Sequence, residues 1–240
     1  MTRTSAQPAM NPKPNWGRPV IIRLLITALG LTAWFWTQSL IGQRTMPASG
    51  IGDGFLDWTS SINLYLNEHH DAANALLIVS SGVIDILGLF LLGKWIFGPS
   101  VRPFLGLLSV LGLRQMMQAL VALPIPENAI WHYPGFPSLL VTYGVANDYF
   151  FSGHTSIAVL GATELARNGR RWVIGVAVLI AIFEAATVLV LRAHYTMDVF
   201  TGAIAALLVA SLVGNASRPI DRLLSKANHW QPARTTVRTP

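Results

Sequence analysis

The sequence predicts an all-α polytopic membrane protein, a bundle of six transmembrane helices with both termini in the cytoplasm. Three observations support this prediction. Of the 240 residues, 52% are hydrophobic and only 12% are charged, about half the charged fraction of a soluble globular domain. Six apolar segments are long enough to cross a bilayer, and the basic residues collect on one side of them. Cysteine is absent, which excludes disulfides, a thiol nucleophile and cysteine-ligated metal sites.

The spans follow from the length of the apolar segments, because a helix needs about 20 mostly apolar residues to cross the hydrocarbon core. The fourth span is the shortest, and a basic segment at 167–171 marks its end. Together the spans define an N-terminal tail at 1–18, a six-helix membrane catalytic domain at 19–216 and a C-terminal tail at 217–240. The six predicted spans are 20–41, 73–97, 103–123, 152–167, 172–192 and 197–214.

The orientation follows from the basic residues, since short cytoplasmic loops carry an excess of Lys and Arg. With six spans, 14 of the 17 Lys and Arg residues fall on the side of the two termini. Arg44 is the only Lys or Arg residue in the opposite loops, 42–72 and 124–151. The net charge of +6 therefore reflects topology, and we expect no nucleic-acid partner. We expect a multi-pass protein of the plasma membrane, of the bacterial inner-membrane type. A cleaved signal peptide is the alternative for the first segment.

The loop 42–72 contains apolar residues at three-to-four spacing, which predicts an amphipathic helix over about 53–67. Such a helix lies either in the outer membrane interface or on top of the bundle.

Ionisable side chains within spans are costly and are therefore candidates for function. Five of them share the outer, non-cytoplasmic depth, and the other three lie deeper or toward the cytoplasm. The outer five are Arg114, His154, Arg192, His194 and Asp198, and the others are Asp85, Glu164 and Glu184. We expect Glu164 to pair with Arg167 or Arg170, and Asp85 and Glu184 to pair internally or to face a hydrated cavity.

His194 and Asp198 are four residues apart, which places them on one face of a helix. The carboxylate is then able to accept the imidazole Nδ1–H and to leave Nε2 as a free lone pair, as a nucleophilic or basic histidine requires. The alternative is that the pair only satisfies itself at a helix end.

Ser152-Gly153-His154-Thr155 opens the fourth span, so first-turn N–H groups and the Ser152 hydroxyl point toward an incoming anion. Gly153 allows a phosphate to approach closely, and His154 is placed to protonate a leaving alkoxide. Arg114 and Arg192 supply positive charge that suits the oxygens of a phosphoryl group. Snorkelling toward the interface is the alternative for both arginines.

Two signatures resemble a known family. The segment Asn147-Asp148-Tyr149-Phe150-Phe151-Ser152-Gly153-His154-Thr155, followed by His194-Tyr195-Thr196-Met197-Asp198-Val199, is similar to the paired signatures of sphingomyelin synthases. Leu113-Arg114 with the segment 123–126 resembles the arginine-bearing segment before them. Sphingomyelin synthases belong to the type-2 phosphatidic acid phosphatase superfamily, and the resemblance covers roughly 105–205.

The resemblance implies that His194 is the nucleophile that forms a phosphohistidine, that Asp198 orients it, and that His154 acts as general acid and then base. Arg114 corresponds to a substrate-contacting arginine. Asp148 and Tyr149 precede the first histidine and are candidate pocket residues. No metal and no cofactor are implied. The partners are membrane lipids, a phospholipid donor and a lipid hydroxyl or water as acceptor, and oligomerisation stays open.

Two features depart from these families. Lys94 and Arg102-Pro103 look like a motif of the phosphatases, but the gap is seven residues instead of six and the predicted side is cytoplasmic, so we assign them no role in the site. Asn147 replaces a glycine of the synthases and Thr201-Gly202-Ala203 replaces an aromatic-rich segment, which disfavours ceramide as the acceptor.

The sequence thus predicts a lipid phosphotransferase that moves a phospho-headgroup between lipids at the outer leaflet. Hydrolysis of a lipid phosphate by the same residues is the enzymatic alternative. A non-catalytic protein that binds or scrambles lipids is the alternative of another class.

Overall fold

The computed structural model describes residues 25–29, 32–33, 35–36, 39, 50–141, 143, 149–167 and 169–228, without the side chains of 224–228. The chain divides into two units, Met1–Ser49 and Gly50–Pro240. In the first unit the described positions between 25 and 39 are helical. The predicted span 20–41 otherwise lies outside the described residues.

The second unit is entirely α-helical in its described regular structure. Its helices are α1 (Gly54–Trp58), α2 (Ser60–Glu68), α3 (His70–Ile96), α4 (Arg102–Leu120), α5 (Gly153–Ala166), α6 (Arg171–Val190) and α7 (Thr196–Asn228). The second to sixth predicted spans therefore each coincide with a helix, and the predicted all-α class is confirmed.

Three helices within the described residues are long and apolar enough to cross a membrane: α3, α6 and the Thr196–Leu223 part of α7. Helix α4 interrupts its apolar run with Arg114, Gln115 and Gln118, and α5 has only 14 residues. The chain is thus a membrane protein with at least three membrane-capable helices, and the count of six spans stays a prediction.

Helix α7 continues past the predicted end of the last span at 214 and reaches Asn228, with Pro219 inside it, so the first part of the predicted tail from 217 is helical. A contact with another helix supports this extension. The Asp221 carboxylate accepts from the Ser100 hydroxyl and from the Val101 N–H, each at 2.7 Å, and so caps the start of α4. Tertiary hydrogen bonds thus hold in place a segment whose composition resembles a tail.

Helix α5 lies at the centre of the bundle and packs against α3, α4, α6 and α7. The main core joins apolar side chains of four helices. These are Ile84, Leu87 and Leu91 of α3, Leu107 and Val110 of α4, Ile157, Ala158 and Leu160 of α5, and Ala206, Val209 and Val213 of α7. Gly106 and Gly161 lack a side chain where Leu160 and Leu87 approach, which lets the helices pack closely.

The segment 53–67, which the sequence predicts to be one amphipathic helix, forms two helices, α1 and α2. Both pack on the bundle. Leu56 and Leu66 are buried. The Asn63 amide is also buried and donates to the carbonyls of Asn128 and Val190, at 3.2 and 2.9 Å. These bonds hold α2 against the end of α6 and favour the packed arrangement of the two alternatives.

The segment between α4 and α5 folds back onto the middle of α3. The Asp85 carboxylate accepts from the Ser138 hydroxyl and from the N–H groups of Leu139 and Leu140, at 2.8 to 3.1 Å. A Cβ at Gly88, one turn further along α3, would collide with the Leu140 side chain. Asp85 therefore binds loop backbone, and it forms no charge pair with any residue that the structure describes.

Two other acids, Glu164 and Glu184, have partners on other helices. Glu164 forms ion pairs with Lys94 and Arg102, at 3.1 and 2.9 Å, so the predicted pairing with Arg167 or Arg170 is wrong. Helix packing brings α3 and the start of α4 to the end of α5, which sequence separation does not reveal. Glu184 accepts from the Ser80 hydroxyl at 2.6 Å.

Candidate active site

A cavity of about 50 Å³ lies between α3, α4, the α5 N-terminus and the turn before α7. Three of its lining residues are basic side chains that the sequence singled out: Arg114, His154 and His194. The others are mostly apolar. The full lining is Ile84, Leu111, Arg114, Trp131, Leu140, Val141, Tyr149, Gly153, His154, Ile157, Ala193 and His194.

The turn after α6 aims His194 at this cavity. Arg192 adopts a left-handed conformation, with φ of 53°. The N–H of Ala193 donates to the Val188 carbonyl and that of Arg192 to the Leu189 carbonyl, at 2.9 and 3.0 Å. This is a Schellman motif, which reverses the chain at a helix end, and His194 follows it directly.

The ring of His194 is buried, and its Nδ1 lies 2.7 Å from the backbone carbonyl of Tyr149. A carbonyl oxygen only accepts hydrogen bonds, so Nδ1 carries the hydrogen. In the neutral ring Nε2 is then the unprotonated nitrogen, which has the lone pair that a nucleophile needs.

Asp198 does not accept this hydrogen as the helical spacing predicts. Its Oδ2 lies 3.8 Å from His194 Nδ1, beyond hydrogen-bonding distance, and accepts from the Tyr195 N–H at 2.9 Å. The reason is that His194 lies in the turn, two residues before α7 begins, and the carboxylate caps that helix. Asp198 is fully buried and its Oδ1 has no hydrogen-bond partner, so its charge acts on the imidazole through space.

The N-terminus of α5 brings His154 to the same cavity. The Ser152 N–H donates to the Asp198 carbonyl at 3.1 Å, which joins α5 to the first turn of α7. The Ser152 hydroxyl caps α5 by accepting from the Thr155 N–H at 3.3 Å, and it does not line the cavity. His154 is buried, its ring edge meets Trp131 with centroids 5.2 Å apart, and its Nε2 has no hydrogen-bond partner.

Arg114 reaches the cavity from α4, and its Nε donates to the Phe151 carbonyl at 3.0 Å. A Cβ at Gly153 would lie 3.0 Å from the same Nε. The missing side chain at Gly153 therefore gives the guanidinium its place beside the first turn of α5.

Arg192 lies outside the cavity, unlike the other basic residues of the predicted site. Its guanidinium donates to the carbonyls of Glu127 and Leu56, at 2.9 and 3.1 Å. The side chain therefore ties the end of α6 to α1 and to the loop after α4. In this geometry Arg192 supports the fold, and its role in binding a phosphate stays a prediction.

We expect Arg192→Ala to be more destabilising than Arg192→Gly. Both variants lose the two hydrogen bonds to carbonyls, but only Gly relieves the left-handed backbone, which costs other residues about 1 kcal/mol. Thermal unfolding in detergent measures the difference. An equal or lower midpoint for Arg192→Gly would contradict the assignment.

Among the remaining predicted pocket residues, Tyr149 lines the cavity, and its carbonyl binds His194. Asp148 lies outside the described residues. Trp131, Leu140 and Val141 also line the cavity, and they come from the loop that Asp85 holds.

Asp53 is a site-supporting residue that the sequence analysis missed. Its carboxylate caps α1 by accepting from the Phe55 and Leu56 N–H groups, at 3.0 and 3.3 Å. It also accepts from the N–H and hydroxyl of Thr196, at 2.6 and 2.7 Å, and so caps α7 two residues after His194. The sequence shows the N-cap pattern before α1, but it does not show that Asp53 also caps α7.

Burial alone would raise the pKa of Asp53, but the hydrogen bonds from Thr196, Leu56 and Phe55 outweigh it and hold the pKa below its usual range. A carboxylate with a lowered folded-state pKa stabilises the fold above its unfolded pKa, and that stabilisation disappears as the pH falls through the folded-state value.

We therefore expect Asp53→Asn to lower the unfolding midpoint at pH 7, and we expect the gap to wild type to shrink as the pH falls from about 5 to 3, across the ordinary Asp range. Thermal unfolding against pH measures this. Asp57→Asn is the matched control, because Asp57 is exposed on the same helix. A gap that stays constant with pH, or that Asp57→Asn reproduces, would exclude the double cap as its cause.

The fold and the cavity define a membrane protein in which an arginine of α4, a histidine of α5 and a histidine of the turn before α7 meet. Comparison with known proteins refines this class. The model of the AtPDCT1/2 family matches residues 52–215, which is more than half of the chain. The chain belongs to this family.

One curated protein and one solved structure are also similar to this chain. The chain is 23% identical over 156 residues to phosphatidylcholine:diacylglycerol cholinephosphotransferase 1 of Arabidopsis thaliana, an alignment that covers 65% of this chain and 50% of that protein. The chain thus spans about half the length of this curated relative. The crystal structure of Aquifex aeolicus LpxE is similar in fold, with a TM-score of 0.50 at 18% identity, over 67% of this chain and 94% of that one.

These findings support the type-2 phosphatidic acid phosphatase superfamily, and they do not single out its sphingomyelin synthase branch.

Proposed function

We propose that the protein transfers a phospho-headgroup from a phospholipid to a lipid hydroxyl, with phosphatidylcholine as donor and diacylglycerol as acceptor. The observation that carries the mechanism is the hydrogen bond from His194 Nδ1 to the Tyr149 carbonyl, because it leaves Nε2 unprotonated beside the cavity. The name of the Arabidopsis relative supports the choice of donor and acceptor.

In the first step His194 Nε2 attacks the donor phosphorus, and a nitrogen–phosphorus bond replaces the bond to the diacylglycerol oxygen. His154 gives its proton to that oxygen, which leaves as a hydroxyl. The imidazole of His194 becomes positively charged, and the buried Asp198 carboxylate, 3.8 Å from Nδ1, stabilises that charge.

In the second step the acceptor hydroxyl takes the place of the departed diacylglycerol. His154, now neutral, removes its proton while the oxygen attacks phosphorus, and the nitrogen–phosphorus bond breaks. Both histidines return to their starting states. If water enters in place of the lipid, the same steps give hydrolysis.

The negative charge on the phosphoryl oxygens is met by Arg114 and by the start of α5. The first N–H groups of a helix have no partner within the helix and carry partial positive charge. Gly153 and His154 present these groups at the cavity, and Gly153 adds no side chain between them and the Arg114 guanidinium.

The proposal also includes the membrane arrangement. Six spans with cytoplasmic termini would place His154 and His194 toward the outer leaflet, where the loops carry few basic residues. Donor and acceptor would then both arrive from that leaflet of a plasma membrane.

The test is headgroup transfer by the purified full-length chain in liposomes. Phosphatidylcholine labelled in its choline and diacylglycerol with distinguishable acyl chains are supplied together, beside a His194→Ala variant. We expect labelled choline on the new acyl chains with wild type only. Release of phosphocholine without new lipid would indicate hydrolysis, and equal results for both proteins would indicate a non-catalytic lipid-binding or scrambling protein.

A further inference from the structure

A second polar cavity lies at the other end of α5 from His154. Its volume is about 620 Å³, and it is lined by the end of α3, the start of α4 and the end of α5. Glu164, which lines it, is ten residues after His154, roughly 15 Å along the helix at 1.5 Å per residue. This cavity is therefore separate from the catalytic one.

The charges that line this cavity do not balance. Lys94, Arg102 and Arg167 are cationic, and Glu164 is the acid among the lining residues. Both Glu164 oxygens are already engaged, one by Lys94 at 3.1 Å and one by Arg102 at 2.9 Å. The nearby Asp221 carboxylate is occupied by Ser100 and Val101. An excess of positive charge thus faces the cavity.

Arg102 is the most buried of the three cations that line the cavity. The residue is only 9% exposed, and its buried Nε has no hydrogen-bond partner among the residues that the structure describes. A buried guanidinium N–H without an acceptor costs free energy. Guanidinium groups bind phosphate oxygens well, and the cavity beside Arg102 has room for a phosphate.

The opening of the cavity is apolar. Phe90 and Phe97 line it, and Phe97, at the end of the membrane-capable helix α3, is 90% exposed. An acyl lipid would lay its chains against these rings and leave its phosphate at Arg102. A free phosphate ion has no acyl chains to pack against the rings of Phe90 and Phe97.

We propose that this cavity binds the phosphate group of an anionic phospholipid, held by Arg102, Lys94 and Arg167. The site does not depend on the catalytic role of His194. It serves as a second lipid site on the same molecule, at the opposite end of α5 from the reacting residues.

Gly93 offers a way to fill the cavity without touching its charges. It lines the cavity, and a Cβ there would meet nothing within 4 Å. Gly82, on the same helix, has equally open space but does not line this cavity. Gly93→Leu and Gly82→Leu therefore form a matched pair.

The test is native mass spectrometry of the full-length protein in detergent, titrated with dioctanoyl phosphatidate in a His194→Ala background that prevents turnover. We expect Gly93→Leu to weaken retention of one lipid by about tenfold or more, which is the loss of one or two charge-assisted hydrogen bonds. Gly82→Leu should bind as its parent does. The double variant Arg102→Gln/Glu164→Gln, which removes both partners of the buried pair, should weaken binding similarly.

Two further ligands separate the sources of the phosphate. Dioctanoylglycerol, which lacks phosphate, should bind all variants alike, and inorganic phosphate at the same concentration should not displace phosphatidate. Displacement by inorganic phosphate would overturn the assignment to a lipid. Equal phosphatidate binding by parent, Gly93→Leu and the double variant would overturn the site itself.

Discussion

A His154→Gln variant should still form a covalent intermediate on His194 when the leaving group needs no proton. With phosphatidylcholine, loss of the general acid and base should slow transfer by about 10²- to 10⁴-fold. With nitrophenyl phosphocholine, the departing phenolate is stable unprotonated, so His194 Nε2 attacks without help. The second step still needs His154, so the phosphohistidine accumulates.

The expected result is a burst of nitrophenol, stoichiometric with protein, followed by a slow phase. Mass spectrometry of the acid-sensitive adduct should locate the phosphocholine on His194. His194→Gln should give neither burst nor adduct. His132→Gln is the control, because His132 lies outside the cavity and its Nε2 is 2.8 Å from the Asn74 side-chain oxygen. An adduct on His154 would reverse the proposed roles of the two histidines.

We expect Gly202→Ala to disrupt the contact between the N-terminus of α5 and the first turns of α7. Gly202 is one turn after Asp198, and a Cβ there would lie 2.7 Å from the Ser152 carbonyl oxygen. The obstacle is backbone, so α7 must move away from the α5 N-terminus. That movement breaks the 3.1 Å bond from the Ser152 N–H to the Asp198 carbonyl and separates His154 from His194. Misplacement of reacting groups by about 1 Å costs on the order of 100-fold in rate.

Gly214→Ala provides the comparison for this variant. Gly214 is on the same helix, and a Cβ there meets nothing within 4 Å, so alanine should stabilise the helix by roughly 0.5–1 kcal/mol. Thermal unfolding and transfer activity are measured for both. Gly202→Ala should lower both quantities, whereas Gly214→Ala should leave activity unchanged. Similar behaviour of the two variants would show that the close approach at Gly202 is unimportant.

The sequence was informative wherever local chemistry decides the structure. Apolar length located five helices to within a few residues, except at the end of α7, and depth counted along the spans brought Arg114, His154 and His194 to one level. These three side chains line the same cavity. Local patterns carry this information because a helix fixes the rise per residue.

The sequence did not predict the contacts between segments that lie far apart along the chain. The helical spacing of His194 and Asp198 suggested a direct bond, but a Schellman turn places His194 before the helix and a distant carbonyl takes the hydrogen. Arg192 has the charge of a phosphate ligand, yet two carbonyls far away in sequence occupy it. Asp53 caps a helix that begins 143 residues later. Each of these outcomes depends on packing, which a periodicity does not encode.

The loop that Asp85 anchors lines the same cavity as His154 and His194 but carries neither of these two side chains. Leu140 and Val141 face the cavity, but the loop is tethered through its backbone to α3. We expect substitutions at those two positions to change the shape of the cavity and to leave the two histidines in place. On the proposed function, substitutions in this loop should change the selectivity among headgroups independently of turnover.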